Sequence, residues 1–178
     1  GVASLDILDN IIPYVSGDEN KMETETLKML GRFDGERVHP YDITISATAT
    51  RVPVLDGHLI NLSLSMIEKP SIEQILQAWA AYQSPSDISA LPSAPDRPVQ
   101  YLSQIDRPQP RRDRNAGNGM MTSIGRLRDC PILGYKFATL AHNTIRGAAG
   151  CSILNAEFLV AKGYIDGVQL DEDAMTLA

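Results

Sequence analysis

The chain is short of the residues that mark several whole classes of protein. It has two cysteines in 178 residues, Cys130 and Cys151. A lone pair at that spacing matches no zinc-ligand pattern and builds no disulfide framework, which points to a reducing compartment, the cytoplasm. Basic residues are also few: 16 Lys plus Arg against 22 Asp plus Glu, a net charge of −6. That balance argues against nucleic acid or an anionic membrane as a partner. No apolar run reaches the length of a membrane span, and GVASLDILDN carries acidic residues where a signal peptide would carry basic ones. There is no Ser/His/Asp spacing, no metal cluster and no phosphate-binding glycine loop. Gly147-Ala148-Ala149-Gly150 is not the dinucleotide GxGxxG pattern, because no βαβ unit follows it. Repeats and an internal domain boundary are absent too. The chain opens at Gly1 without an initiator methionine, directly in an apolar pattern, so the expectation is a piece of something longer.

What is present is enough apolar residue, 43% against 21% charged, for one globular domain with a core. Asp42 to Met66 organises it. Ile43, Ile45, Ala47 and Ala49 alternate with Thr44, Ser46, Thr48 and Thr50, the period of a half-buried strand. Arg51 follows on the apolar parity. After Pro53 and the Asp56-Gly57 turn signal, Ile60, Leu62, Leu64 and Met66 share the parity of His58. Arg51 and His58 are thus polar exceptions on apolar faces, expected at facing strand ends. An always-charged guanidinium and an imidazole that titrates near neutrality would share one mouth of the sheet. The plainer alternative is an arginine snorkelling at a strand end and a histidine bonded to a backbone carbonyl.

Around this stretch, Val2 to Tyr14 reads as extended or briefly helical. Ser16-Gly17-Asp18-Glu19 has the form of a capping box, Met22, Thr26, Met29 and Leu30 make a helical face, and Gly31 stops the helix. Lys21 sits near its first turn, either solvated or held for a ligand. Arg32 to Tyr41 reads as a loop. Ser71 and Gln74 repeat the capping-box spacing, before Ile72, Ile75, Leu76 and Trp79 on one helical face. Residues 84–119 are proline-rich and irregular, with one short strand near Val99 to Ser103; Arg107, Arg111, Arg112 and Arg114 give this loop a basic patch, which is solvated, an anion site or an interface. Ser123 to Cys130 and Lys136 to Ala141 predict two more strands, Thr144 to Lys162 a last helix, and Leu170 to Ala178 an acidic frayed tail. The order predicts an α+β fold: a mixed, largely antiparallel sheet with helices packed on it. Read alone, the residues suggest an anion-binding pocket, with Arg51 for a carboxylate, Lys21 for a second anion and His58 as acid or base.

RVPVLDGH, GRLRDC and HNTIRGAAGCSILNAE together resemble the C-terminal catalytic and dimerisation domain of aspartate-semialdehyde dehydrogenases, closest to the fungal and archaeal branch. The likeness runs from DNIIPYVSGDENK to VAKGYI. It implies a glyceraldehyde-3-phosphate-dehydrogenase-like C-terminal domain, a homodimer built through it, and NADP as cofactor. It also implies reduction of L-aspartyl 4-phosphate to aspartate 4-semialdehyde and phosphate, on the route to threonine, methionine and isoleucine. On the matched positions, Arg51 binds the substrate α-carboxylate, His58 activates the nucleophilic cysteine and serves as acid or base, and Lys21 holds the phosphoryl group. Glu19 takes the substrate ammonium, with Asp18 nearly as good a match. Asn143 meets the nicotinamide carboxamide and Gly147 packs beside the cofactor. The family's nucleophilic cysteine lies in an N-terminal NADP-binding domain that these 178 residues lack; Cys130 has no matched role and Cys151 reads as a small core residue. The chain alone is therefore expected to be inactive. A sibling acyl-phosphate or acyl-thioester reductase (acting on N-acetyl-glutamyl phosphate or malonyl-CoA) and a non-catalytic dimerisation module are the alternatives.

Overall fold

The computed structural model describes residues 4–165. The chain separates into two compact units, divided between Leu55 and Asp56.

The first unit begins with a one-turn helix, α1 (Ser4–Ile7), and is built on α2 (Asp18–Met29). The capping box expected at Ser16 does not form. Gly17 is the cap, in the left-handed region at φ 80°, and no side chain bonds the first turn. Glycine reaches that conformation without the clash a Cβ would bring, so a backbone turn starts the helix instead. The expected apolar face is not a core either: Met29 and Leu30 are exposed, and no residue of α2 is buried. Arg32 to Tyr41 is not simply a loop. It holds a small ribbon, β1 (Arg32–Phe33) antiparallel to β2 (Val38–His39), too short to show a period in sequence. Asp34 fastens its turn, accepting the N–H groups of Glu36 and Arg37 at 2.9 and 3.0 Å and meeting the His39 imidazole. Those partners, the Arg37 amide first, hold the Asp34 carboxyl down at about 2.

The strand expected over Ile43 to Thr50 is also corrected. Among the described residues the segment joins no ladder. Its alternation decides exposure from Ile45 onward: Ala49 is buried, Ile45 and Ala47 are half-buried, and Thr48 and Thr50 are exposed, whereas Ile43, on the apolar parity, is exposed. Period two specifies an extended chain with two unlike faces; it does not supply a neighbouring strand.

The second unit is a four-stranded sheet in the order β3 (His58–Leu64), β6 (Gly134–Ala141), β5 (Thr122–Cys130), β4 (Val99–Leu102). β3 and β5 run antiparallel to β6, and β4 runs parallel to β5. The mixed sheet predicted from sequence is thus present. Its centre is β6, where Leu140 is 1% exposed and Ala138 5%, with Ile124 of β5 beside them. A bulge between Gly125 and Arg128 carries Arg126 at φ 60°, the local cost of one extra residue in a ladder. α3 (Ile72–Ala81) packs against the sheet through Trp79, stacked on Tyr101 at 5.9 Å and edge-on to Phe137 at 5.2 Å. Its capping box forms as expected: Gln74 N–H donates to Ser71 Oγ at 3.2 Å and Ser71 N–H to Gln74 Oε1 at 2.7 Å. The irregular segment holds two one-turn helices, α4 (Ser86–Ser89) and α5 (Pro110–Asp113).

The last helix departs from expectation at its start. Ile145–Ala149 is a π-helical turn, with Gly147 N–H donating to the His142 carbonyl and Ala149 N–H to that of Thr144; α6 (Gly150–Ala161) follows. Buried His142 caps this turn, its Nδ1 accepting the Ile145 N–H at 3.3 Å. A helix whose first N–H finds an imidazole has little need of a serine or aspartate cap. Both cysteines are free, Cys130 buried and Cys151 half-buried. The predicted acidic tail lies outside the described residues.

Leu140 fixes the centre of the sheet, so Leu140→Ala should lower stability by about 2–5 kcal/mol through lost burial and a cavity. Urea denaturation checks it; a loss under about 1 kcal/mol would show a loosely packed centre.

Candidate active site

In the first unit, α2 runs beside the extended segment and takes the place of a strand partner. Ala47 N–H donates to Glu23 Oε1 at 2.8 Å, and Ala49 N–H donates to Glu19 Oε1 at 2.9 Å. The spacings agree. Residues four apart on a helix rise about 6 Å, and residues two apart on an extended chain advance about 6.6 Å. The next amide of that edge, Arg51 N–H, donates to the Ile12 carbonyl at 2.9 Å, and Ile12 N–H returns the bond at 3.1 Å. Three alternate amides are therefore held in line, and they end at Arg51. Arg51 is exposed, and its backbone partner is Ile12 rather than β3. The facing strand ends expected for Arg51 and His58 do not occur as a hairpin.

On α2, Glu19 turns toward Ala49, leaving Oε2 without that bond. Lys21, two residues on, stands about 200° round the helix, whereas Asp18, three residues before it, is only about 60° away. The lysine is exposed.

In the second unit, His58 opens β3 and is exposed. It pairs with Ala141, so the antiparallel register carries the chain beyond β6 back past the residue before His58. There Asn143 Oδ1 accepts the Gly57 N–H at 2.9 Å across 86 positions of sequence. Gly57 has φ 110°, open only to glycine, and a Cβ on it would lie 3.1 Å from Leu140 Cδ1. An amide oxygen turned to a backbone donor leaves the Nδ2 donors of Asn143 for another acceptor. Gly147 is exposed; its N–H goes to the His142 carbonyl. Gly150 is explained from within, since a side chain there would strike Met120 and Ile145.

The arginine-rich loop is largely internal in its use. Arg107 makes a two-pronged pair with Asp113, which is 4% exposed and also accepts the Gln109 N–H at 2.6 Å. Arg107's hydrogen bonds hold the Asp113 carboxyl below the ordinary carboxylate range. Arg114 Nη1 donates to the Asp56 carbonyl at 3.3 Å. Arg111 and Arg112 are exposed. Among the described residues no cluster of His, Cys, Asp and Glu could hold a metal ion, and no helix is long and apolar enough to cross a membrane.

The model of the semialdehyde dehydrogenase dimerisation domain matches residues 1–146. The chain belongs to the semialdehyde dehydrogenase family. It is 45% identical to the aspartate-semialdehyde dehydrogenase of Archaeoglobus fulgidus, over 93% of this chain and 47% of that protein. Identity to the Aspergillus fumigatus enzyme is 45%, over 93% and 48%. The crystal structure of the Candida albicans aspartate semialdehyde dehydrogenase with NADP superposes with a TM-score of 0.83 at 44% identity, over 93% of this chain and 48% of that one. A Vibrio cholerae relative at 23% identity, TM-score 0.68, shares the fold. The chain thus spans about half the length of the relatives it matches.

Sequence reasoning named Arg51, His58, Lys21, Glu19, Asn143 and Gly147; it missed Glu23, and it read Gly57 only as part of a turn and Arg114 only as part of a basic patch, without their partners. Glu23 had a signal: it stands four residues after Glu19, beside an alternating segment with no obvious partner. The partner of Arg114 had none, because it is a backbone carbonyl 58 positions away.

Glu23→Ala should leave the part-buried Ala47 amide without its acceptor, at a cost of about 1–3 kcal/mol. Glu23→Gln, which keeps a carbonyl oxygen, should retain most of the stability. Thermal unfolding of both variants checks this; equal losses would show that the charge matters and the hydrogen bond does not.

Proposed function

We propose that this chain is the substrate-binding and dimerisation half of an NADP-dependent aspartate-semialdehyde dehydrogenase, which reduces L-aspartyl 4-phosphate to L-aspartate 4-semialdehyde with release of phosphate. The observation that carries the reading is the hydrogen bond from the Gly57 amide to Asn143. It joins the residue before His58 to the residue assigned to the nicotinamide, so acid–base and cofactor roles meet within one contact.

In this reading Arg51 binds the substrate α-carboxylate, for which the planar fork of a guanidinium is suited. The bonds that end at Arg51 hold its backbone before substrate arrives, which lowers the entropy of positioning. Lys21 takes the phosphoryl oxygens. The ammonium ligand comes from the Glu19–Asp18 pair: Glu19 offers Oε2, and Asp18 lies on the same side of α2 as Lys21. His58 accepts the thiol proton of the nucleophilic cysteine, which lies outside these residues, and serves again as acid or base when the reduced product leaves that sulfur as the aldehyde. NADPH supplies the hydride. Asn143, with Oδ1 already engaged, offers Nδ2–H to the carboxamide oxygen, and Gly147 leaves room beside it. The residues present fit the nicotinamide end; the dinucleotide phosphates are held by a domain outside this sequence. A homodimer covers the sheet edge, where Leu59, Ile60 and Leu62 of β3 are exposed, an apolar surface of the kind that marks a lost or awaited contact.

The deciding experiment mixes this chain with a separately expressed NADP-binding half carrying the cysteine, and follows NADPH formation from aspartate semialdehyde, NADP and phosphate. Activity is expected only in the mixture; turnover by the pure chain would overturn the assignment of the nucleophile to another domain. In the complete enzyme, His58→Ala should lower kcat by about 10²–10⁴-fold. Arg51→Lys should mainly raise KM, because a point charge replaces a fork. Wild-type kinetics in either variant would remove that residue's role.

A further inference from the structure

The carbonyl of Asp56 and the N–H of Gly57 belong to one peptide plane, and a side chain grips each end of it. Arg114 Nη1 donates to the carbonyl at 3.3 Å; Asn143 Oδ1 accepts from the N–H at 2.9 Å. This plane lies one peptide before the one that enters His58, across the Gly57 Cα. Glycine at φ 110° could otherwise rotate it, since no Cβ restricts the turn. Packing closes the remaining freedom: around the place a Gly57 side chain would occupy stand Leu140 Cδ1 at 3.1 Å, Pro110 Cβ at 3.5 Å and Arg114 Cβ at 3.6 Å. Arg114 is itself placed by a rigid support. It follows α5, whose buried Asp113 is pinned by Arg107 and by the Gln109 amide.

We infer that Arg114 is a positioning residue for His58, acting with Asn143 as a two-sided clamp on the Asp56–Gly57 peptide plane. The inference rests on the acid–base reading of His58 given above. The arginine-rich loop is then a brace for the catalytic turn rather than an anion site. Loss of the Arg114 bond frees the plane to turn, which redirects the imidazole without altering its chemistry, and misplacement by about 1 Å can cost up to 10²-fold in rate.

The test is a double-mutant cycle in the complete enzyme, with Arg114→Ala made in the wild-type and in the His58→Ala background. Arg114→Ala should lower kcat about 10- to 100-fold with KM values within about twofold. In the His58→Ala background it should change kcat by less than about twofold, because residues that act as one unit are not additive. Arg114→Lys, which restores a donor, should recover most of the loss and serves if the alanine variant folds poorly. Arg112→Ala, an exposed neighbour, is the control and should be silent. A readout independent of turnover is hydrogen exchange at the Gly57 amide, which should quicken at least about tenfold in Arg114→Ala while amides of the β5–β6 ladder stay protected. Equal losses of kcat in both backgrounds, or unchanged Gly57 exchange, would overturn the clamp. His58→Ala with wild-type kinetics would instead sink the acid–base reading, a distinguishable result.

Discussion

A slip of one residue between β3 and β6 would turn every side chain of β3 to the opposite face, and the functional half of this unit would come apart. The register His58↔Ala141 does three things at once. It sets His58 at the open end of the sheet. It brings Asn143, two residues past the end of β6, within hydrogen-bond reach of the Gly57 amide. It also puts Leu140, the least exposed residue of β6, against the turn that carries the histidine. The ladder is thus a scaffold and a positioning device together. Trp79 of α3 packs on Tyr101 of β4 and on Phe137 of β6, so the same central strand also seats the helix.

The first unit solves a related problem by different means. An extended segment must satisfy its backbone, and among the described residues no strand lies beside Ile43 to Thr50. Two glutamates one helical turn apart accept alternate amides, and the Ile12 backbone accepts the next. Ionised carboxylates are strong acceptors of backbone N–H groups, so the substitution costs little. Its consequence is that Glu19 holds the extended segment by one carboxylate oxygen and keeps the other out of that bond.

Much of this was legible in sequence, and the failures share a cause. The strands β3, β5 and β6, the α3 capping box and the parity of Ile45, Ala47 and Ala49 all follow from local period or local pairing. The Ser16 cap was wrong because Gly17 could turn the chain first. The ribbon in residues 32–39 was too short to have a period. The π-turn at Ile145 depends on His142 and on close packing of Gly150 with Met120, a contact 30 residues apart that no local rule encodes.

By itself the sequence determined which segments alternate, where apolar faces lie, and, through RVPVLDGH and HNTIRGAAG, which family the chain resembles. Those are properties of residue type and short spacing. Only the tertiary structure decided how these residues are held: Glu23 on the Ala47 amide, Asn143 on Gly57, Arg114 on Asp56. The physical reason is that each of these bonds ends on a backbone group. Every residue carries the same N–H and C=O, so nothing in a sequence marks which one a distant side chain will find.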